Sequence, residues 1–270
     1  MLRILGVSKS GYYAWLNRKP SESHKRCEKL KEEILDIYEA SHHIYGSPKI
    51  TVCLSEKGYS VSQKTVFKLM KKMGLKPHYI KPWVRTTTNC DFSTKLQNVL
   101  ERDFNPTEPN AVWCTDITYI PTSEGFVYLT SIMDLYSRKI IAWTLSASME
   151  SEIVLQCLRQ AIEENQTSKP RVIHSDRGIQ FVCKLYQEIC GNMTRSYSRK
   201  GNPWDNACIE AFHSLIKREW LDRIKIRNYN HAYTLVFEYI ETFYNTVRIH
   251  SSLDYLSPNE YIKKFYTHSN

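Results

Sequence analysis

Three acidic residues stand where carboxylates could do metal chemistry. Asp116 interrupts the apolar run Val112-Trp113-Cys114-Thr115-Asp116-Ile117-Thr118-Tyr119-Ile120, where a charge is costly unless it is paired or bound to a cation. Asp176 follows Pro170 and the run Arg171-Val172-Ile173-His174-Ser175, at the point where a buried strand would stop and open into a cleft. Glu210 shares a helical face with Asn206, His213 and Lys217. Carboxylate oxygens are hard ligands suited to Mg²⁺ or Mn²⁺. Two such ions about 3.5 to 4 Å apart can activate an attacking oxygen and stabilise a leaving one at a phosphodiester. The chain holds 28 Asp and Glu residues, so spacing alone does not single out these three. A glutamate on such a helix is ordinarily solvated or salt-bridged. His174 fits a metal ligand or, twice as readily, a packed or supporting side chain.

The elements that would carry these acids are legible in part. Val112 to Ile120 reads as a strand, Ser123-Glu124-Gly125 as a hairpin turn, Phe126 to Met133 as a second strand and Lys139 to Leu145 as a third. Ser151 to Asn165 reads as a helix leading into the strand before Asp176, which can lie parallel to the first through that crossover. A further helix is predicted around Leu185 to Cys190, then a polar loop over Ser196 to Trp204. A helix from about Asp205 to Leu221 follows, and one from Asn230 to Tyr244 closes the core through Leu235, Val236, Tyr239, Ile240 and Phe243. The result is a mixed α/β sheet with flanking helices. Trp204, in the polar loop, fits equally a stacking surface for a base or a pin for the loop.

The N-terminal part is different. Residues 1–100 hold eighteen Lys and Arg against eight Asp and Glu, whereas residues 101–270 hold nineteen against twenty, so the net charge of +9 is N-terminal. A basic helical module beside a near-neutral one points to polyanion binding in the first. Ser10 is a candidate cap for an aromatic helix near the start, either a packing helix or the second half of a helix-turn-helix. Glu22 to Ser41 is an amphipathic helix, and Pro48 to Lys57 another. Ser62 caps one that ends at Gly74 and turns Lys64, Lys68 and Lys71 outward, as a DNA recognition helix would. Residues 86–105 lack periodicity and read as a linker between a helical region over 1–85 and a second domain over 106–270.

Among the eight cysteines there is no Cys-x-x-Cys pair, which argues against zinc and for buried thiols in a reducing compartment. No window approaches about 18 uninterrupted apolar residues, so no membrane partner is expected and the reading is cytoplasmic.

Five ordered motifs carry a resemblance across nearly the whole chain. They are Trp113-Cys114-Thr115-Asp116-Ile117-Thr118-Tyr119; His174-Ser175-Asp176-Arg177-Gly178; Ser198-Arg199-Lys200-Gly201-Asn202 with Asp205-Asn206-Ala207; Glu210-Ala211-Phe212 with Lys217; and Tyr244-Asn245 with Arg248, His250 and Leu253. Together they resemble the integrase core of insertion-sequence DDE transposases of the second-reading-frame type, and residues 24–85 resemble that family's helix-turn-helix region. The resemblance implies a ribonuclease-H-like core with a five-stranded mixed sheet. It implies a catalytic, metal-binding triad of Asp116, Asp176 and Glu210 using two Mg²⁺ or Mn²⁺ ions per site, and DNA cleavage followed by strand transfer. Lys217 matches the family's basic residue after the glutamate, expected to hold the transposon end. Arg199, Lys200, Asn206, Arg248 and His250 fall in the same motifs and are expected at DNA. The implied partners are double-stranded terminal inverted repeats and target DNA, further copies of the chain on those ends, and an upstream-frame protein as fusion or partner. The implied setting is the bacterial nucleoid. Thirty-three residues separate Asp176 from Glu210, fewer than is typical of the family, with the shortfall near Ile189 to Asn192. A hydrolytic nuclease of the same fold, or a DNA-binding regulator or relic without catalysis, are the alternatives.

Overall fold

A computed structural model describes residues 6, 8–17, 19, 21–78, 96–165 and 170–268. The chain forms two compact units, Met1–His78 and Tyr79–Asn270.

In the first unit, helices α1 (Lys9–Leu16), α2 (Glu22–Ala40), α3 (Ser47–Glu56) and α4 (Gln63–Lys72) follow in order. Leu30, Ile34 and Ile37 of α2, Ile50 and Leu54 of α3, and Val66, Leu69 and Met70 of α4 are buried, the stripes that the 3.6-residue period requires. Ser62 Oγ accepts the Thr65 N–H, and the chain leaves α4 through Gly74 at φ +72°, where a side chain would be strained. Lys57 and Tyr59 both donate to Glu33, tying the α3–α4 turn to α2. The start of the chain departs from expectation. Ser8, not Ser10, caps α1 by accepting the Gly11 N–H, and α1 buries none of its residues, so it is not a packing helix.

The second unit is built on a five-stranded mixed sheet in the order β3-β2-β1-β4-β5. Strands β1 (Val112–Thr122), β2 (Gly125–Asp134) and β3 (Ile140–Ser146) form the antiparallel meander. Helix α5 (Ser151–Glu164) crosses over to β4 (Val172–Ser175), parallel to β1. After α6 (Ile179–Val182) and α7 (Lys184–Cys190), β5 (Thr194–Tyr197) lies parallel to β4. This is the mixed, ribonuclease-H-like sheet that the resemblance implies. Trp113, Ile132 and Ile173 pack with Val154, Leu155 and Leu158 of α5 and with Phe181 and Tyr186. Helix α8 (Ala207–Glu219) packs on β1 and β2. Alternation along β1 thus sends Trp113 and Ile117 toward α5 and Asp116 toward α8.

Three segments differ from the sequence reading. The polar stretch from Ser196 begins inside β5. Residues 96–105, from the expected linker, are bound to this unit: Gln97 O accepts the Tyr197 N–H, and Ser196 Oγ accepts the N–H groups of Val99 and Leu100. These bonds cover the outer edge of β5. The rest of that expected linker, to residue 95, lies outside the described residues. The helix expected over 230–244 is α9 (Tyr229–Phe237) running into a π-helical turn, Glu238–Tyr244, and a last helix α10 (Pro258–His268) follows.

Candidate active site

Asp116 lies on β1, and Asp176 directly follows the adjacent parallel strand β4. The parallel register runs Val112 with Val172, Trp113 with Ile173 and Cys114 with His174. Asp176 lies one residue past the end of β4, two positions beyond the last paired residues, Cys114 and His174. This end, past the carboxyl terminus of β4, is where open α/β sheets bind ligands. Asp116 Oδ2 lies 3.4 Å from His213 Nδ1, and His213 Nε2 lies 3.3 Å from Ser131 Oγ, the residue opposite Asp116 on β2. Asp176 is exposed, and its Oδ1 accepts the Gly178 N–H at 2.8 Å.

Glu210, half-buried in the first turn of α8, is positioned by the neighbours on its own face. Four residues earlier, the buried Asn206 donates through Nδ2 to the carbonyl of Thr115, next to Asp116. Three residues later, His213 meets Asp116 itself. The Glu210 face is thereby fastened to the middle of β1 on both sides. Asp116 on β1, Asp176 just past β4 and Glu210 on α8 carry hard oxygen donors of the kind a divalent cation such as Mg²⁺ takes. Among the described residues no group of three or more His, Cys, Asp or Glu side chains is drawn together as a metal cluster.

His174 is not among the site's donors. Its side chain is fully buried between Ser196 Oγ (2.8 Å) and Ser198 Oγ (3.1 Å), and burial pushes its pKa down to about 4. It therefore joins β4 to β5 as a neutral ring.

The loop before α8 is organised around Asp205, whose side chain is wholly buried. Its oxygens accept from the backbone N–H, Nε and Nη2 of Arg199 and from Nε of Arg102. The Arg199 guanidinium holds the Asp205 carboxyl well below the usual carboxylate range. Stability from this group is present above the ordinary value near about 4 and is lost as pH falls below it, because the unfolded chain takes up the proton first. Asp205→Asn is therefore expected to lower stability at neutral pH and to flatten the loss of stability below about pH 4, read from urea unfolding across pH.

Of the residues expected at DNA, Arg199 and Lys200 are exposed at this loop, with Arg199 also engaged by Asp205. Lys217 Nζ lies 4.5 Å above the Tyr119 ring and lines a cavity of about 450 Å³ with Ile120, Leu221 and Ile224; burial lowers its pKa. Lys64, Lys68 and Lys71 are exposed on α4 of the other unit. Asn206 is turned inward and serves α8, as described above. Arg248 and His250 are corrected: both are buried, 6% and 8% exposed. Arg248 donates to both oxygens of Glu219 at 2.6 and 2.7 Å and lies 3.3 Å from His250, which takes the pair away from any DNA surface. One signal for this was present. Glu219 continues the buried stripe Ile209, Phe212, Ile216, where a charge calls for a buried partner. His213, by contrast, showed itself only as a member of the Glu210 face.

Comparison with known proteins bears on this geometry. The Integrase core domain family matches residues 106–203, a second Integrase core domain family matches 192–258, and an HTH-like domain matches 25–82. The chain is 36% identical over 250 residues to the transposase for insertion sequence element IS904 of Lactococcus lactis subsp. lactis (strain IL1403), covering 92% of this chain and 99% of that protein. The chain belongs to the insertion-sequence transposases. Two other relatives match it end to end. The uncharacterized 31 kDa protein of insertion element IS600 from Shigella sonnei is 35% identical, covering 98% of each chain. Transposase InsF for insertion sequence IS3A of Escherichia coli (strain K12) is 32% identical, covering 98% of this chain and 93% of InsF. Among solved structures, the HTLV-2 integrase catalytic core domain in complex with magnesium gives a TM-score of 0.45 at 17% identity, over 58% of this chain and 98% of that one. In this transposase family member, Asp116 and Asp176 fall within the first Integrase core match, and Glu210 and Lys217 within the second.

Proposed function

We propose that the chain cuts DNA at the ends of an insertion sequence and joins the freed 3′ ends to a second DNA by metal-dependent phosphodiester chemistry. The observation that supports this reading is that β1, which carries Asp116, pairs in parallel with β4, which leads into Asp176, while Asn206 and His213 bond the Glu210 face of α8 to β1. Asp116, Asp176 and Glu210 would hold the ions. Two Mg²⁺ or Mn²⁺ ions there supply the Lewis acidity that activates water or a 3′ hydroxyl and stabilises the departing oxygen. The chain's own residues do the rest. His213 fixes the Asp116 carboxylate from the helix side, and the Gly178 N–H orients that of Asp176. Arg199 and Lys200 offer cations to the phosphates beside the acids. Lys217 holds the DNA end further along the same groove.

The basic first unit supplies sequence-independent and sequence-reading contacts through α4, with Lys64, Lys68 and Lys71 at phosphates. Working complexes contain more than one copy on paired ends, together with an upstream-frame protein. No described helix is long and apolar enough to cross a membrane; action at the nucleoid follows from the proposed substrate.

Two expected results arise here. Lys217→Ala weakens binding of a terminal-repeat duplex about tenfold, on the scale of a lost charge-assisted contact, and leaves metal binding intact; an unchanged end affinity removes that role. Lys68→Ala lowers affinity for any duplex and reduces the slope of log affinity against log salt by about 1. An unchanged slope would remove α4 from the DNA interface. Cleavage and joining of a labelled end, compared between the wild type and carboxylate variants, tests the reading as a whole.

A further inference from the structure

Trp204 is left 69% exposed in a segment that is otherwise firmly held. On its carboxyl side Asp205 binds the guanidinium groups of Arg199 and Arg102, and Asn206 donates to the Thr115 carbonyl. On its amino side the Asn202 N–H reaches Arg199 O at 3.1 Å, and the Asp205 N–H reaches Asn202 O at 3.2 Å. The short turn Pro203–Asn206 is thus anchored at both ends while its indole faces solvent. A tryptophan that served to pin the loop would be buried, with its N–H on a partner. Here the pinning is done by Asp205 and Asn206, and the indole is free of that task.

Its position matters as much as its exposure. Trp204 precedes Glu210 by six residues. With the 3₁₀ turn Pro203–Asn206 rising about 2 Å per residue and α8 about 1.5 Å per residue, that is about 10 Å, or about three base steps of 3.4 Å along one strand. Exposed Arg199 and Lys200 stand in the same loop and favour a polyanion alongside. A rigidly presented indole beside two cations offers a planar apolar surface to the one component of DNA that is both planar and apolar, the face of a nucleobase. In an intact duplex both faces of a base are covered by its neighbours, so the base that can use this surface is one displaced from the stack.

We propose that Trp204 is a stacking platform for one unpaired nucleobase of the DNA end, within about three nucleotides of the phosphodiester addressed by Asp116, Asp176 and Glu210. This rests on the DNA-end reading above. Because every base has a π face, the platform accepts any base. It holds the strand in place beside the acids and reads no sequence.

The test uses equilibrium binding without divalent metal, so that its outcome does not depend on cleavage. Terminal-repeat duplexes with a single abasic site, moved one position at a time across the three nucleotides on either side of the cut, are bound to the full chain and its W204A and W204F variants. W204A is expected to bind the intact end about ten- to a hundredfold more weakly, with W204F recovering most of the loss. One abasic position weakens the wild type to a similar degree and has no further effect on W204A. Tm is unchanged in both variants. The proposal is overturned if W204A binds like the wild type, if every abasic effect adds in full to that of W204A, if W204A lowers Tm as a packing residue would, or if the wild type binds no end duplex. A chain that cleaves no DNA but shows the non-additive pattern refutes the catalytic reading and leaves the platform standing.

Discussion

Asp176→Asn lowers DNA-end cleavage and strand transfer by on the order of a thousandfold, equivalent to about 4 kcal/mol of transition-state stabilisation, and leaves the fold in place. The large effect follows from charge. In the proposed chemistry Asp116, Asp176 and Glu210 would share a divalent cation, which would lose an anionic ligand when any one becomes an amide. The small effect on stability follows from position. Asp176 is exposed beyond the end of β4, and an asparagine Oδ1 can still accept the Gly178 N–H that the carboxylate accepts at 2.8 Å. A surface change of this kind shifts stability by about 0.5 kcal/mol or less. Single-turnover cleavage of a labelled end, beside thermal unfolding, measures both. Activity within tenfold of the wild type would place the chemistry elsewhere.

Arg248→Met destabilises the second unit by about 3–5 kcal/mol. Arg248 and Glu219 are both nearly inaccessible, and the guanidinium meets the carboxylate through two donors at 2.6 and 2.7 Å. Removing the cation takes two charge-assisted donors from a buried carboxylate, which the Tyr239 hydroxyl also reaches at 2.7 Å. Desolvation of that charge is then uncompensated. Replacing both partners with apolar residues, Glu219→Leu with Arg248→Met, is expected to recover most of the loss, because neither charge remains to be desolvated. Urea unfolding of the two variants checks this. A single variant as stable as the wild type would mean that the pair is open to water. The pair joins the last turn of α8, the helix that carries Glu210, to the segment after the π-helical turn, so this stability also bears on where Glu210 stands.

How far the sequence led can be seen residue by residue. Asp116 was legible because a charge inside an apolar period-two run has no packing rationale, and Asp176 because Val172 and Ile173 mark a strand that ends just before it. Strand β5 was missed because Thr194-Arg195-Ser196-Tyr197 has no apolar pattern; it is a strand because β4 supplies a parallel partner and residues 97–100 cover its other edge. The π-helical turn was also illegible. Its cause is tertiary: Asn245 bonds through its side chain to both N–H and C=O of Ile140, and its own N–H reaches back to Ile240 O. Arg248 shows the limit most plainly. Its type and its motif pointed to DNA, but burial is decided by a partner twenty-nine residues away. The same holds for Asp205, whose two arginine partners come from Arg199 nearby and Arg102 across the unit. The shortfall expected near Ile189 to Asn192 corresponds to the end of α7 and the turn after it, where Gly191 has φ +54°, and β5 keeps its register with β4. The pairing of β4 with β5 thus runs up to Ser175, the residue before Asp176.

The most direct test of the central claim is strand transfer. A duplex carrying the labelled terminal repeat is incubated with the full chain, with and without the upstream-frame protein, and with an unlabelled plasmid in Mg²⁺. The proposed chemistry predicts cut ends joined to plasmid, with joined product absent in EDTA and absent with Asp116→Asn, Asp176→Asn or Glu210→Gln. Joined product that persists in EDTA or with those three variants, or ends that are cut and never joined, would contradict it.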